Sequence, residues 1–307
     1  MLPTLCDTFR NCSKETWDML AKGRDLDHQI GEETLTDINI LKLKSEKKLE
    51  IYNHKFTKHK EGSNGADWEW WFTGASNKWI GFRVQAKVVD FKNNSFNHLY
   101  YYKKTKSKNK VYQCDLLIEN ASKEKNSPIP LYCFYSNWND SKSSKEYLKY
   151  NPIEKENSYG CSIISAFIIQ HLRSKKKEPK HLTDLLKYMQ PWHSLVCCHG
   201  DSSDDLPSRV LESWRNSILQ TESLFLKRFD VSISQKLKSM PNNYQRIYDD
   251  LHLSDVPPKH VQLLLNNDLV ELPDSNLGQV TIIKERKQLT YSRYEGERIR
   301  KELLELL

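Results

Sequence analysis

Three residues whose types could do chemistry together stand on two short, alternating segments. Asp67 opens D-W-E-W-W-F (67–72), and Gln85 and Lys87 lie in W-I-G-F-R-V-Q-A-K-V-V (79–89). A carboxylate and an amide oxygen are acceptable ligands for a hard divalent cation such as Mg²⁺ or Mn²⁺. An ammonium beside them can stabilise the charge that develops when water attacks a phosphodiester. Burying such groups is costly unless they are paired or metal-bound, so their presence on one strand face asks for a reason. Function is one. The other is a surface ladder in which Asp67 and Glu69 simply pair with Arg83 and Lys87, and for Glu69 pairing with Arg83 is the expected role.

The elements that must position these residues can be read from their alternation. In 79–89, Ile80, Phe82, Val84, Ala86 and Val88 fall on one face and Arg83, Gln85 and Lys87 on the other. In 67–72, Trp68, Trp70 and Phe72 share a face, which leaves Asp67 and Glu69 opposite. With T-G-A-S-N-K between them, the two segments predict a hairpin. Their polar faces coincide when paired residue numbers have an even sum; a sum of 152 sets Asp67 across from Gln85 and Glu69 across from Arg83, while a shift by two residues keeps the faces and misaligns the pairs. Trp68 and Trp70 then read as core aromatics, not as platforms for bases.

Around the hairpin, 13–22 reads as a short helix. A second helix follows Asp27, with Ile30, Leu35, Ile38 and Leu41 on its apolar side and Glu32, Glu33 and Asp37 among its polar residues. A strand at 49–56 and a polar loop at 58–65 lead to the hairpin. Residues 111–121 predict a helix and 129–135 a buried strand, a crossover that makes this strand parallel to a central one. The stretch 136–157 reads as a loop. Helices are expected at 161–172, 182–189, 206–229, 257–265 and 294–307, with a short strand at 280–283. The fold class is therefore α/β, a mixed-sheet core over 1–150 followed by a mostly helical accessory region over 151–307.

An Asp on one strand, a Q-x-K eighteen residues later on its antiparallel neighbour, and a preceding helix bearing Glu together resemble the PD-(D/E)xK, or restriction-endonuclease-like, nuclease superfamily. The Q-A-K form is similar to its Mrr branch. The longer string from G-E-E-T-L-T-D through G-A-D-W-E-W-W-F to V-Q-A-K also resembles an uncharacterised bacterial family. The nuclease resemblance covers about residues 25–136. It implies Asp67 as principal metal ligand, Gln85 in the place of the usual acidic ligand, Lys87 as the group that orients water and stabilises charge, and Glu33 as helix-borne ligand, with Glu32 the adjacent alternative. Glu69 could add the charge that neutral Gln85 lacks. Gln113 could point toward the site, as glutamines sometimes do in this superfamily. The resemblance further implies Mg²⁺-dependent or Mn²⁺-dependent cutting of nucleic acid, DNA above RNA, and a role in bacterial defence against foreign DNA. Many such nucleases act as dimers, so a homodimer or a regulatory protein partner is a further expectation.

Composition sets outer bounds. The 307 residues carry 47 basic and 40 acidic side chains, an excess that tolerates a nucleic-acid partner without requiring one. Its distribution says more. Lys103, Lys104, Lys106, Lys108 and Lys110 form one run and Arg173, Lys175, Lys176, Lys177 and Lys180 another; such runs are more often solvated loops than phosphate tracks, and in the nuclease reading the first would flank the site and attract the phosphate backbone. No stretch approaches the roughly 20 apolar residues of a membrane span, and 1–10 lacks the apolar run of a secretory leader. Seven scattered cysteines then suggest reduced thiols in a cytoplasmic protein, without a structural disulfide. Trp192, His193, Cys197, Cys198 and His199, with Cys161, invite a zinc reading but lack a C-x-x-C pair. No phosphate-binding glycine loop is present.

Overall fold

The computed structural model describes residues 4–46, 51–55, 65–104, 109–123, 126, 128–150, 154–175, 177–197, 205–215, 253–266 and 277–285. The expected helix at 294–307, the end of that expected over 206–229 and all but Gly65 of the loop at 58–65 lie outside them. The alternating 79–89 segment forms the long strand β3 (Trp79–Val88), which pairs antiparallel with β2 (Trp68–Thr73). Trp68 faces Val84, Glu69 faces Arg83 and Trp70 faces Phe82, which is the register with a sum of 152. Trp71 faces Gly81, where a Cβ would lie 2.4 Å from the Trp71 ring. Glycine is thus what lets the indole lie across the strand.

On its other edge β3 pairs in parallel with β6 (Ile129–Tyr135), the crossover running through α3 (Gln113–Lys123) as the sequence predicts. Seven strands form one mixed sheet in the order β1-β9-β2-β3-β6-β7-β8. Here β1 is Ile51–Lys55, β7 Cys161–Ser165, β8 Gln190–Pro191 and β9 Gln279–Lys284. A separate two-stranded ladder joins β4 (Tyr102–Lys104) to β5 (Lys110–Tyr112).

Each sheet face buries its own core. One face sets Trp68, Trp70 and Phe82 against Phe9 of α1 (Leu5–Asp25), Leu35 of α2 (Glu32–Glu46), Trp192, and Trp214 from the helix α7 (206–215). The other sets Trp71, Phe134 and Val280 against Leu117 of α3, Ile169 of α5 (Ala166–Arg173) and Val261 of α8 (Lys259–Leu265). Trp70 is wedged between Phe9 and Trp192 at ring-centroid distances of 6.0 and 5.5 Å. Truncating so buried an aromatic typically costs about 3–5 kcal/mol.

Several expectations are corrected. Helix α1 begins eight residues before Ser13, because Thr4 and Asp7 form a reciprocal capping box. Ser13 instead sits buried within the helix, its hydroxyl 3.3 Å from the Phe9 carbonyl. The stretch 136–157 contains α4 (Ser141–Tyr150), started by Asp140, whose carboxylate accepts the Ser143 N–H at 2.8 Å. The segment 161–172 divides into strand β7 and helix α5, with Ser165 capping the helix. A doubly buried strand has no alternation to betray it. Residues 182–189 give only α6 (Leu182–Leu185) and a tight turn. Beyond residue 150, β7, β8 and β9 join the same sheet as the hairpin, so strands of this sheet stand among the helices of the second part. Cys6 and Cys197, 191 residues apart, form a disulfide between the start of α1 and the end of the Trp192 turn, which corrects the expectation of reduced thiols throughout; a count of cysteines carries no information on which of them the fold brings together. No helix among the described residues is long and apolar enough to cross a membrane.

Candidate functional site

Strand β3 outruns β2. The β2 ladder stops at the Trp68–Val84 pair, whereas β6 follows β3 to Val88. Past Val84 the edge of β3 turns the main-chain groups of Ala86 and Val88 toward a gap that no strand among the described residues fills. Unpaired backbone groups there would be costly, and two carboxylates take the place of the missing strand. Asp67 Oδ2 accepts the Ala86 N–H at 2.7 Å, and Glu32 Oε1, from the first turn of α2, accepts the Val88 N–H at 3.2 Å.

Gln85 completes the cluster. Its Nε2 donates to Asp67 Oδ2 at 2.6 Å and lies 3.2 Å from the Ala86 carbonyl oxygen. Its Oε1 accepts from Gln113 Nε2, at the start of α3, at 2.7 Å. Gln113 Oε1 is itself buried without a hydrogen-bond partner. Helix α3 can approach this closely because of Gly65: its φ is +75°, and a Cβ there would lie 2.6 Å from the Gln113 carbonyl oxygen and 2.7 Å from the Leu117 nitrogen. Lys87 is buried, with its Nζ 3.8 Å from Glu32 Oε2. The structure therefore brings Asp67, Gln85 and Lys87 together, with Glu32 and Gln113 as their neighbours.

Asp67 keeps part of its surface open to solvent, yet its carboxyl is hemmed in. Loss of hydration is the largest influence and raises its pKa. The Lys87 ammonium and the Ala86 N–H oppose the rise, Glu32 and Glu33 add to it, and the carboxyl settles at about 6. This is a carboxylate whose surroundings favour gaining a proton or another cation near neutrality.

One step along the hairpin, Glu69 is treated differently. It is fully buried and accepts from Arg83 Nε at 2.9 Å, from the second Arg83 guanidinium nitrogen at 2.5 Å and from Trp71 Nε1 at 2.8 Å. His260 Nε2 of α8 lies 2.7 Å away. Burial again pushes the carboxyl up, but Arg83 first, then His260 and Trp71, outweigh it and hold the pKa down at about 2. The sequence reading paired Glu69 with Arg83 and also offered it as a metal ligand. Its oxygens are taken up by this network, which leaves it poorly suited to the second role.

Other expected residues are dispersed. Glu33 is exposed on α2, close enough to act on Asp67 by charge, while Glu32 is the one that reaches β3. Lys103, Lys104 and Lys110 are exposed on the β4–β5 ladder, and Lys106 and Lys108 lie outside the described residues. Of the suggested zinc cluster, Trp192 is core and bonds the Phe9 carbonyl at 2.7 Å, Cys197 is in the disulfide, and Cys198 and His199 are outside the described residues. Among the described residues no group of three or more His, Cys, Asp or Glu side chains could hold a metal. Oxygen donors at the β3 gap are instead of mixed kind: the Asp67 carboxylate, the Ala86 carbonyl and, when the Gln85 amide is turned over, its oxygen. Amide nitrogen and oxygen exchange places by such a turn, so three oxygens can converge where one amide nitrogen now bridges two. Sequence reasoning had no means of finding the Ala86 carbonyl or His260, which come into play through strand ends and long-range packing.

The chain belongs to DUF6615, a family of unknown function whose model matches residues 5–289. No curated protein matches it. The family brings no activity with it, so any functional reading rests on the residues themselves.

Proposed function

We propose that this member of DUF6615 is a metal-dependent nuclease of the PD-(D/E)xK kind, hydrolysing nucleic-acid phosphodiesters, DNA above RNA. The observation that carries the reading is the meeting of Asp67, Gln85 and Lys87 at the gap where β3 outruns β2, with the Asp67 carboxyl raised to about 6. Strain of this sort on a carboxylate is common at functional sites.

The donor set suits Mg²⁺ or Mn²⁺, which take carboxylate and carbonyl oxygens. Asp67, Gln85 through its amide oxygen, and the Ala86 carbonyl would hold the ion, with Glu32 in reserve at the edge of the gap. A bound cation would polarise the phosphate and lower the pKa of water. The chain's own groups do the rest. Asp67 must be ionised to act, so its pKa of about 6 makes competence rise with pH through that value. Lys87, buried beside Glu32, would set its amino group where phosphoryl oxygens gather negative charge. Gln113 holds the Gln85 amide in one of its two orientations. Bacterial defence in the cytoplasm, with a homodimer or regulatory protein as partner, extends this reading by resemblance.

The test incubates wild type, Asp67→Asn and Lys87→Met with plasmid, linear and single-stranded DNA in Mg²⁺ or Mn²⁺, with circular dichroism confirming that each variant folds. Cleavage by wild type that is abolished by chelator and by both substitutions is the expected result. Equal, metal-independent background in all three defeats the reading.

A second reading is favoured by one feature: both ends of the Gln85 amide are already used inside the protein. A catalytically silent nuclease-like module that binds nucleic acid or a protein would look the same. Retained binding without cutting in the same assay supports it.

A further inference from the structure

The two lysine-rich runs, some seventy residues apart in sequence, meet in space. Arg173, at the end of α5, stacks its guanidinium over the Tyr112 ring of β5 at 4.0 Å, and Tyr112 packs on Tyr102 of β4 at 5.4 Å between centroids. The loop that follows α5 is tied to the same place, since the Tyr100 hydroxyl donates to the Pro179 carbonyl at 2.5 Å. Over 100–104, 109–115 and 170–180, the described residues include seven Lys or Arg and two acids, Asp115 and Glu178. Asp115 is held by Gln170 and Arg173, each at 2.7 Å.

Two features go beyond mere charge. Lys104 and Lys110 stand directly opposite each other on β4 and β5, both exposed, in a ladder of two short strands with no further strand beside it among the described residues. Like charges directly opposed across a ladder destabilise it, and two-stranded ladders are marginal to begin with. The Lys110 ammonium rests 4.4 Å from the Tyr102 ring centroid, which offsets part of that repulsion, and a polyanion lying across Lys104 and Lys110 would remove the rest. The second feature is Tyr101, 46% exposed. Its carbonyl accepts the Gln113 N–H at 2.9 Å, and the Gln113 side chain donates to Gln85. An open aromatic ring therefore stands at the mouth of the ladder, two hydrogen bonds from the candidate site.

We propose that the β4–β5 ladder and the loop after α5 form one docking surface for single-stranded nucleic acid, with Lys104, Lys110, Lys177 and Lys180 on phosphates and Tyr101 stacked on a base. A duplex offers phosphates but keeps its bases stacked inside, and an acidic polypeptide offers charge without bases, so exposed ring and cations together select a single strand. The inference deepens the nuclease reading by naming the form of substrate delivered to the gap.

Binding is measured by fluorescence anisotropy on the full chain in EDTA, with labelled oligothymidylate, oligouridylate, a duplex of equal length and polyglutamate as ligands. Single strands are expected to bind more tightly than duplex or polyglutamate. Tyr101→Ala should weaken single-strand binding by about tenfold and leave duplex binding unchanged. Lys104→Gln with Lys110→Gln should reduce the slope of log affinity against log salt by about 1.4. Lys104→Glu turns the repulsive pair into an attractive one, so it should weaken binding while keeping or raising the melting temperature, which separates loss of contact from loss of fold. Duplex or polyglutamate binding as tightly as single strands, or Tyr101→Ala without effect, overturns the proposal. Lost cutting with intact binding in Asp67→Asn counts for the nuclease reading alone, and absent binding with intact metal-dependent cutting counts against this inference alone.

Discussion

Asp67 and Glu69 sit two residues apart on one face of one hairpin, and their carboxyl groups are driven in opposite directions. Glu69 meets a guanidinium, an indole and an imidazole and stays ionised down to about pH 2. Asp67 meets a backbone N–H and an amide, has its ammonium neighbour shared with Glu32, and rises to about 6. Both lose hydration, so burial does not separate them. The difference is compensation: Arg83 stands opposite Glu69 and is otherwise enclosed, whereas Asp67 lies where the ladder ends and no cross-strand partner of opposite charge exists. A saturated pair fixes the hairpin, and an unsaturated one leaves binding capacity for a cation. Adjacent positions with the same residue chemistry can thus serve stability and function separately, according to where the strand stops.

The comparison breaks most forcefully at Glu69. Glu69→Ala strands the Arg83 guanidinium in the core and should cost about 3–5 kcal/mol, read by urea denaturation at pH 7. Replacing both partners, Glu69→Leu with Arg83→Met, should recover most of that loss, because an apolar pair of similar volume avoids the desolvation penalty. A double variant no more stable than the single one would mean that His260 and Trp71, not Arg83, carry the network.

Asp67→Asn should do the reverse. With the carboxyl raised from its ordinary value to about 6, ionisation costs the folded state roughly 3 kcal/mol above that pH, so the neutral amide should keep or raise stability at pH 7 to 8. Metal-dependent cleavage should fall by at least about 100-fold. The pH dependence carries the sign of each shift. Glu69 contributes stability that is full above its unfolded value near 4.5 and is lost as pH falls toward about 2. Asp67 takes up its proton more readily folded than unfolded, so it contributes stability at low pH that is lost as pH rises from about 4 to about 6. Melting temperatures across pH 2 to 8 should show the acid limb vanish in Glu69→Gln and the second decline vanish in Asp67→Asn. If the two variants give superimposable profiles, the contrast between the two carboxylates does not exist.

The half of this contrast that depends on strand alternation could be read from the chain. Trp68, Trp70 and Phe72 against Ile80, Phe82 and Val84 fixed the faces, and the coincidence of polar faces restricted the register to even sums, among which the structure has 152. The parallel placement of β6 followed from the strand–helix–strand crossover. What lay hidden depends on places where local pattern is silent. Glu32 and Glu33 differ by one helical step, about 100°, and only the docking angle of α2 decides which one reaches Val88. Strand β7 is buried on both faces and so has no alternation, β9 arrives from some two hundred residues beyond its neighbour β2, and the Cys6–Cys197 bond joins segments 191 residues apart. His260 belongs with these: a lone histidine in P-K-H-V-Q carries no sign that it closes the shell of Glu69.

Smaller effects probe how firmly the unsaturated side is held. Gly65→Ala should destabilise by about 1–3 kcal/mol, since it forces a side chain into φ +75° and into the Gln113 backbone. By displacing the start of α3 it should also slacken the Gln113–Gln85 hydrogen bond, so Mn²⁺ affinity should not fall with stability.

Gln113→Ala is the mildest change and the most informative about the amide. Its loss removes one hydrogen bond to Gln85, worth about 1 kcal/mol, and with it the restraint that keeps the Gln85 nitrogen toward Asp67. A freed amide can turn its oxygen to the gap, where it would join the Asp67 carboxylate and the Ala86 carbonyl as a third donor. Mn²⁺ affinity, followed by titration calorimetry or electron paramagnetic resonance above pH 7, should therefore rise several-fold even as stability falls slightly. A drop in affinity would place Gln113 itself among the groups that hold the ion, and its buried, unpartnered Oε1 would be the atom responsible.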